Sequence, residues 1–385
     1  MTATTQKRKK KTEVRTPALS KRGKGGLVLL TSAISGAVLG LSAPGIEVWW
    51  LAWIGLTPLL LLAVSSNRPR QAFLRGLLFG TCYNLVYQNW YLGLSPLDWL
   101  GFNAWQGWLL AGAAWLIISV QQGLIIGIFA AIAKALPMTG TFLPEREKSK
   151  WTWPALVTLP LLWVLIVNKL GNAHYFLGVP FSMLEYTQYK QISLIQIASI
   201  IGGIVIGAII VMTNAVIASL IASFYGQKSV AALAAPSRTI AIHQCLAMGL
   251  ILTGMLAFGF YQSSNLNAPS DIPLSVIQGN VNIDMEKDKR RYSLADLLAR
   301  QLSLVGKATG EICVWTESSL PVYLSRESLV ARNMAQLAQR RGFDMIVGSM
   351  DADASGRHYN AAYGISSRGK MLPTVYHKRY LVPFG

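Results

Sequence analysis

Charged residues are scarce in this 385-residue chain. They make up only 14% of the sequence, whereas about a quarter of a soluble globular chain is charged. Hydrophobic residues make up 52%, and the mean hydropathy is +0.39. Because several long apolar runs accompany this shortage of charge, the composition indicates an integral membrane protein.

Cysteine and histidine residues are also too few and too widely spaced to indicate a disulfide framework or a metal site. Cys82, Cys245 and Cys313 lie far apart, which excludes a disulfide framework and the paired spacing of a cysteine metal site. The four histidines show no ligand spacing either. We therefore expect no bound metal and no other cofactor.

The formal net charge of +18 raises the question of nucleic-acid binding, which depends on where the charge lies. Residues 1–26 carry nine Lys/Arg and one acid, and residues 263–385 carry fifteen Lys/Arg and eleven acids. The remaining basic residues lie mostly in short connections between apolar runs, where they set membrane orientation. We therefore interpret residues 1–26 as a basic cytoplasmic tail and expect no nucleic-acid partner.

Seven apolar stretches predict a multi-span α-helical membrane domain over residues 27–262. A hydrocarbon core of about 30 Å requires about 20 helical residues. Gly202, Gly203 and Gly207 predict close helix contacts, and Gln121 and Gln122 predict hydrogen bonds between helices rather than a substrate role. The stretches are 27–43, 47–64, 72–92, 105–135, 152–169, 192–224 and 240–262.

Basic residues alternate between the connections and so predict the orientation. They follow the second, fourth and sixth stretches, as at Arg70, Lys150 and Arg238, whereas the first and third connections have none. By the positive-inside rule the amino terminus is cytoplasmic, and with seven spans everything after Tyr261 lies on the outer face. In a bacterium this predicts a multi-pass inner-membrane protein with a periplasmic domain.

From Ile272 onward the pattern is that of an α/β domain. The runs IPLSVIQGNV, EICVWTE and FDMIVGSM predict strands, and residues 357–381 predict two further strands that turn at Ser367–Gly369. Helical patterns at residues 286–308 and 325–342 separate these strands. Residues 263–385 are therefore expected to form an α/β domain outside the membrane.

Glu317 and Lys378 each follow an apolar run at the end of a predicted strand, where α/β domains usually place their chemistry. A glutamate in apolar surroundings can act as a general base, since desolvation raises its pKa. A nearby lysine can stabilise an oxyanion. The alternative, which the residues alone leave open, is that both are solvated side chains at strand ends.

Four segments carry a resemblance to a known family. VWTESSLP, YNAAYGISSRGK and YHKRYLVPFG, preceded by VIQGN, resemble the nitrilase-type domain of bacterial apolipoprotein N-acyltransferases. The seven preceding stretches are similar to that family too, as is the run GLTPLLLLA…RQAFLRGLLFG near the start. The resemblance covers nearly the whole chain from about residue 27.

The resemblance implies a four-layer α-β-β-α sandwich with a Glu-Lys-Cys triad. Glu317 matches the general base, Lys378 matches the triad lysine, and Tyr359 and Asn360 match a pair that supports the site. It also implies a reaction in which a cysteine takes an acyl chain from a phospholipid as a thioester. The α-amine of a diacylglyceryl-cysteine on a lipoprotein then accepts that chain. The implied partners are thus a phospholipid donor and a diacylated apolipoprotein acceptor.

The nucleophilic cysteine is the point at which the sequence departs from the family. In the family this residue lies well beyond the triad lysine, whereas Gly385 stands seven residues after Lys378. Cys313 lies within a predicted strand and is expected to be a core residue, and Cys82 and Cys245 lie in apolar stretches. The resemblance therefore predicts a truncated or split acyltransferase with an incomplete nitrilase-like domain, which alone forms no thioester.

Two other functions stay open. The first is a catalytically inactive membrane protein that retains lipid or lipoprotein binding. The second is a nitrilase-like amidase on a membrane anchor, which would need the same cysteine.

Overall fold

The described residues of the chain form two compact units. The computed structural model describes residues 21–95, 97, 101–141, 146–147, 150–171, 180–225, 233–234, 236–265, 272–280 and 294–379. The first unit comprises residues up to 96 together with 104–266, and the second comprises 97–103 together with 267–385. Residues 1–20 of the predicted tail and the YLVPFG segment at 380–385 lie outside the described residues. The domain boundary after residue 262 stays a prediction.

The first unit is helical. Its α-helices are α1 Lys21–Gly40, α2 Ala52–Gly55, α3 Thr57–Val64, α4 Pro69–Tyr87, α5 Ala104–Ala135, α6 Ala155–Leu162, α7 Ile192–Ile195, α8 Ala198–Ile201, α9 Ile204–Tyr225 and α10 Arg238–Asn265. Short 3₁₀-helices occupy Trp49–Leu51, Asn89–Leu94 and Leu184–Gln188, and a π-helix continues α6 over Trp163–Leu170. Five two-residue strands are β1 Met138–Thr139, β2 Arg146–Glu147, β3 Lys150–Trp151, β4 Trp153–Pro154 and β5 Leu233–Ala234.

Helices accompany each of the seven predicted stretches, but they differ in length. Among the described residues, three helices are long and apolar enough to cross a membrane: Ala104–Ala135, Ile204–Phe224 and Arg238–Asn265. Shorter apolar helices lie at Gly25–Gly40, Trp49–Val64, Ala155–Leu170 and Ile192–Ile201. The structure therefore supports a membrane protein with at least three helices of spanning length, and the count of seven spans stays a prediction.

The sixth predicted stretch is broken rather than continuous. α8 ends at Gly202, whose φ of 83° is a left-handed backbone conformation that glycine adopts without strain. An added Cβ at Gly202 or Gly203 would meet nothing within 4 Å. The prediction that these two glycines serve close helix packing is therefore wrong, since Gly202 ends a helix instead. Gly207 does lie in a close contact, because an added Cβ there would meet Glu185 at 2.4 Å.

Small residues bring α4 and α5 together. A Cβ added to Gly76 would lie 2.8 Å from the backbone oxygen of Ile126, and one added to Gly80 would lie 2.9 Å from Cα of Gly123. Glycines let two helix backbones approach closely, which increases the dispersion contacts between them. These contacts matter in a membrane, because the hydrophobic effect does not drive two helices together in lipid. The pattern of small residues on α4 and α5 thus fixes this pair as a packing unit.

Buried polar side chains in the helical unit bond to other helices. Gln122, on α5, donates to the backbone oxygen of Gly171, which supports the predicted interhelical role of this glutamine. Asn214, on α9, accepts from the backbone N–H groups of Leu56 and Thr57 and donates to the oxygens of Ala52 and Ile210. These bonds satisfy backbone groups at the junction of α2 and α3, where an unpaired group would be costly.

The second unit contains a sheet and two helices. Its strands are β6 Leu274–Ile277, β7 Ile312–Trp315, β8 Leu320–Tyr323, β9 Asp344–Ala352, β10 His358–Ile365 and β11 Met371–His377, and its helices are α11 Leu294–Val305 and α12 Ser328–Arg341. The order of the described strands is β11-β10-β9-β7-β6, with β8 also paired to β9. β6, β7 and β9 are parallel, whereas β9, β10 and β11 are antiparallel.

The sheet has one buried face and one open face. The face that we name the core face carries Cys313, Trp315 and Val347, which pack with Met334 and Ala338 of α12. The opposite face, which we name the open face, carries large apolar side chains that are exposed in this unit: Leu274, Val276, Ile346, Leu372 and Tyr376. Alternation along each strand produces this division. The predicted strands and helices are present among the described residues, and residues 286–293 of the first predicted helix lie outside them. β8 was not predicted.

Candidate active site

Glu317 lies in a tight turn directly after β7. Cys313 and Trp315 are buried in the core and so anchor β7. The chain leaves the core at the carboxyl end of this strand. The turn closes with a hydrogen bond from the N–H of Ser319 to the oxygen of Thr316, and Ser318 adopts a positive φ of 51°. A non-glycine residue in this conformation is uncommon and is often found at functional sites.

Gly348 allows this turn to approach β9. A Cβ added to Gly348 would lie 2.3 Å from the backbone oxygen of Thr316 and 2.9 Å from Cα of Glu317. Any side chain at this position would therefore push the turn away. The sequence interpretation missed this requirement, although a glycine within the predicted strand FDMIVGSM is a signal of close backbone approach.

Lys378 and Asn360 converge on one oxygen of Glu317. The N–H of Lys378, directly after β11, donates to the backbone oxygen of Asn360 at 2.8 Å. The Nζ of Lys378 donates to Oε1 of Glu317 at 2.8 Å, and Nδ2 of Asn360 donates to the same oxygen. The structure therefore brings together three of the four residues that the sequence singled out.

The electrostatics of Glu317 differ from the expectation. Its side chain is 60% exposed, whereas that of Lys378 is 27% exposed. The hydrogen bond from Lys378 is the largest influence and lowers the pKa of Glu317 below its ordinary value, while burial raises it less and the charge of Lys378 lowers it further. The expectation that apolar surroundings raise this pKa is therefore wrong. The pair instead keeps the carboxylate ionised, and an ionised carboxylate can accept a proton.

Tyr359 lies on the core face, away from this cluster. It is in register with Asp351 of β9, whereas its neighbour Asn360 points to the open face. The ring of Tyr359 stacks on His377 with centroids 4.1 Å apart, and its hydroxyl donates to Oδ2 of Asp353. Any support that Tyr359 gives to Glu317 is thus indirect.

The three cysteines lie in helices or in the core. Cys313 is fully buried in β7, as expected, and burial, which is the main influence, raises the pKa of its thiol. A raised pKa disfavours the nucleophilic thiolate. Cys82 on α4 and Cys245 on α10 are half-buried in the helical unit. Among the described residues, no group of three His, Cys, Asp or Glu side chains could hold a metal ion.

Fold and site together define a class of protein: a helical membrane protein that also carries an α/β unit with paired glutamate and lysine side chains at strand ends. Comparison with known proteins shows which proteins the chain resembles. The profile described as "Apolipoprotein N-acyltransferase N-terminal domain" matches residues 35–216. Curated relatives extend the match over about nine tenths of the chain.

Three of these relatives are named apolipoprotein N-acyltransferase. One from Geobacter metallireducens is 27% identical over 363 residues, which are 92% of this chain and 64% of the relative. One from Gloeobacter violaceus is 25% identical over 93% of this chain and 63% of its own length. One from a Nostoc species is 25% identical, with shares of 90% and 65%. The chain is therefore similar to apolipoprotein N-acyltransferases over about nine tenths of its length, and it spans less than two thirds of the length of these relatives.

Proposed function

We propose that the chain carries the base and the oxyanion-stabilising lysine of an apolipoprotein N-acyltransferase. The observation that carries this proposal is the convergence of Lys378 and Asn360 on Oε1 of Glu317 at the carboxyl ends of neighbouring strands. The similarity to apolipoprotein N-acyltransferases supplies the proposed reaction class. The proposed donor is a membrane phospholipid, and the proposed acceptor is the α-amine of a diacylglyceryl-cysteine on an apolipoprotein.

In the first step a cysteine thiol takes the acyl chain. Glu317 removes the thiol proton, and the thiolate attacks the ester carbonyl of the phospholipid, so that a C–S bond forms. The ammonium of Lys378 stabilises the tetrahedral oxyanion. The C–O bond then breaks, and the departing lysophospholipid oxygen takes the proton back from Glu317. The products are a thioester and a lysophospholipid.

In the second step the acceptor amine attacks the thioester carbonyl. Glu317 accepts the amine proton while Lys378 again faces the oxyanion. The C–S bond breaks, the thiolate recovers its proton from Glu317, and an amide remains on the lipoprotein. Lipid anchoring of both substrates explains why this unit would be held at a membrane surface.

The proposal requires a thiol other than those of Cys82, Cys245 and Cys313, because these lie in helices or in the core. We place that thiol in the part of the relatives that the chain does not span. The same part would provide the second sheet of a nitrilase-like α-β-β-α sandwich. The exposed apolar side chains of the open face support this, since a soluble unit seldom exposes such a patch without a partner.

The proposed orientation places the second unit in the periplasm of a bacterium, with the amino terminus in the cytoplasm. Its support is the distribution of basic residues, which is denser in the connections after the second, fourth and sixth stretches. Seven spans are part of this proposal.

The test is a transfer assay on a fusion of the chain to the part of the Geobacter metallireducens relative that it does not span. The fusion is expected to add one acyl chain to a diacylated lipoprotein, detected by mass spectrometry. Glu317→Gln is expected to reduce the rate by about 10²–10⁴-fold, because it removes the general base. Retained activity in this variant would refute the role of Glu317. A fusion that binds diacylated lipoprotein without modifying it would favour the inactive binding protein instead.

A further inference from the structure

The ends of β9, β10 and β11 carry a second polar cluster on the face opposite Glu317. Asp351 pairs in register with Tyr359, and Ala361 pairs with His377. Residues that pair across antiparallel strands share a face, as do residues two apart on one strand. Asp351, Tyr359 and His377 therefore lie together on the core face, while Asn360 and Lys378 belong to the open face.

His377 connects the last described strand to β9, two strands away. Its Nε2 lies 2.7 Å from Oδ2 of Asp351, whose side chain is only 12% exposed. The other carboxylate oxygen of Asp351 accepts from the hydroxyl of Ser325 at 2.6 Å. Burial alone would raise the pKa of Asp351, but its hydrogen bonds, of which those from Ser325 and His377 have the largest effects, lower it to about 2. The Asp351 carboxylate is thus ionised, and each of its two oxygens has a hydrogen-bond partner.

Tyr359 holds the ring of His377 from β10, the strand between these two. The rings are stacked, 4.1 Å apart and 6° from parallel. The hydroxyl of Tyr359 donates to Asp353 at 3.0 Å, and Asp353 also accepts from the side chain of Arg357. The imidazole is therefore fixed in plane by stacking and in direction by the carboxylate.

His377 and Lys378 are adjacent, so fixing one restricts the other. The backbone N–H of Lys378 is bonded to Asn360, and its side chain must reach Glu317 across the open face. Strand ends fray when nothing on the other face holds them. We propose that His377 and Asp351 form a positioning pair, with Tyr359 stacked on the imidazole, that holds the end of β11 so that Lys378 meets Glu317. The biological meaning of this pair rests on the proposed function, whereas its geometry does not.

The test measures the Glu317–Lys378 contact directly, without catalysis. The full chain is labelled with ¹³C-glutamate in detergent micelles, and the Glu317 carboxyl signal, assigned by its loss in Glu317→Gln, is titrated with pH. Lys378→Met provides the reference for a broken contact. His377→Phe keeps a ring that can stack on Tyr359 but cannot bond Asp351. His377→Gln can still donate to Asp351. His358→Gln makes the same change at an exposed histidine on β10.

In His377→Phe the population with Lys378 on Glu317 is expected to fall about tenfold relative to the broken form, since a hydrogen bond to a charged partner has about that effect on an equilibrium. The Glu317 pKa should then rise towards that of Lys378→Met. His377→Gln should largely restore it, and His358→Gln should match the wild type. Asp351→Asn, which retains an acceptor for Ser325, should act like His377→Phe and serves if that variant does not fold.

An unchanged Glu317 titration in folded His377→Phe and Asp351→Asn would overturn the proposal and leave the pair a purely structural contact. Failure of the fusion to transfer acyl groups, with the titration as expected, would refute the proposed function and leave the positioning role in place. Thermal unfolding of each variant, followed in parallel, separates a shifted contact from a general loss of structure.

Discussion

At the residue scale, the proposed site depends on the contact of Lys378 with Glu317. Both donors to Oε1 of Glu317 come from the end of the β10–β11 hairpin, and the hydrogen bond from Lys378 has the largest effect on the carboxyl pKa. Because the Glu317 side chain is 60% exposed, solvent screens much of the interaction. The main effect of the pair is therefore on the protonation state and position of the Glu317 carboxylate, and not on the stability of the fold.

Lys378→Met is expected to raise the pKa of Glu317 towards its ordinary value, because the group that favours the ionised form is lost. A lowered pKa in the folded state contributes stability that is present above the unfolded value and is lost as pH falls through the folded value. The variant should therefore lose less stability than the wild type on acidification. Carboxyl NMR titration and acid unfolding measure the two effects, with Lys370→Met as an exposed control on the same hairpin. An unchanged Glu317 titration would contradict the assigned contact.

The sequence predicted Glu317 and Lys378 because each follows an apolar run at the end of a predicted strand, whereas Asn360 was predicted only by the family resemblance. The sequence did not predict the sign of the Glu317 pKa shift. That sign depends on how exposed the Glu317 side chain is and on which donors reach it. Both are set by the tertiary structure. His377 and Asp351 were missed for the same reason, since 26 residues separate them along the chain.

At the element scale, Asn214 is the clearest test of the helical unit. Its side chain bonds the junction between α2 and α3 and is fully buried. Asn214→Leu would leave the N–H groups of Leu56 and Thr57 without this acceptor, at a cost of about 1–3 kcal/mol for each buried group left unpaired. We expect a clear fall in thermal unfolding temperature in detergent.

The matched control for this change is Thr213→Val on the same helix. The hydroxyl of Thr213 bonds only to the oxygen of Ile209 within α9 among the contacts of the described residues, so its loss should matter little. Equal destabilisation by both variants would show that Asn214 has no special role at the junction.

The elements themselves were largely predictable. The apolar stretches predicted the helices of the first unit, and the strand-helix alternation of the second unit was found as expected. The break at Gly202 was not predicted, because a glycine in an apolar run is equally compatible with close packing and with a helix end. Backbone conformation, here a φ of 83°, decides between them.

At the scale of the whole molecule, orientation can be tested by labelling from outside intact spheroplasts. A cysteine introduced at exposed Ala354, in the turn between β9 and β10, is expected to react with a membrane-impermeant maleimide. A cysteine at exposed Asn67, between α3 and α4, should react only after lysis, because basic residues place that connection in the cytoplasm. The unmodified chain provides the background from its own cysteines. The reverse labelling pattern would refute the proposed orientation.

The open face of the sheet is a further feature of the whole molecule. Its exposed apolar side chains lie on the same face of the sheet as Asn360 and Lys378, so a layer that covers the whole face would also cover the site. Enclosure would remove water from the Glu317–Lys378 pair and strengthen its electrostatics. The exposed glutamate seen here is thus consistent with a site that is completed by a further layer.

The central claim is that this chain holds the base and the lysine of the acyltransferase site, while the nucleophile lies elsewhere. Intact-mass analysis after incubation with phospholipid vesicles tests it most directly. The chain alone is expected to stay unmodified, whereas its fusion to the unmatched part of the Geobacter metallireducens relative should gain one acyl group as a thioester. An acyl group on Cys82, Cys245 or Cys313 of the chain alone would contradict the account.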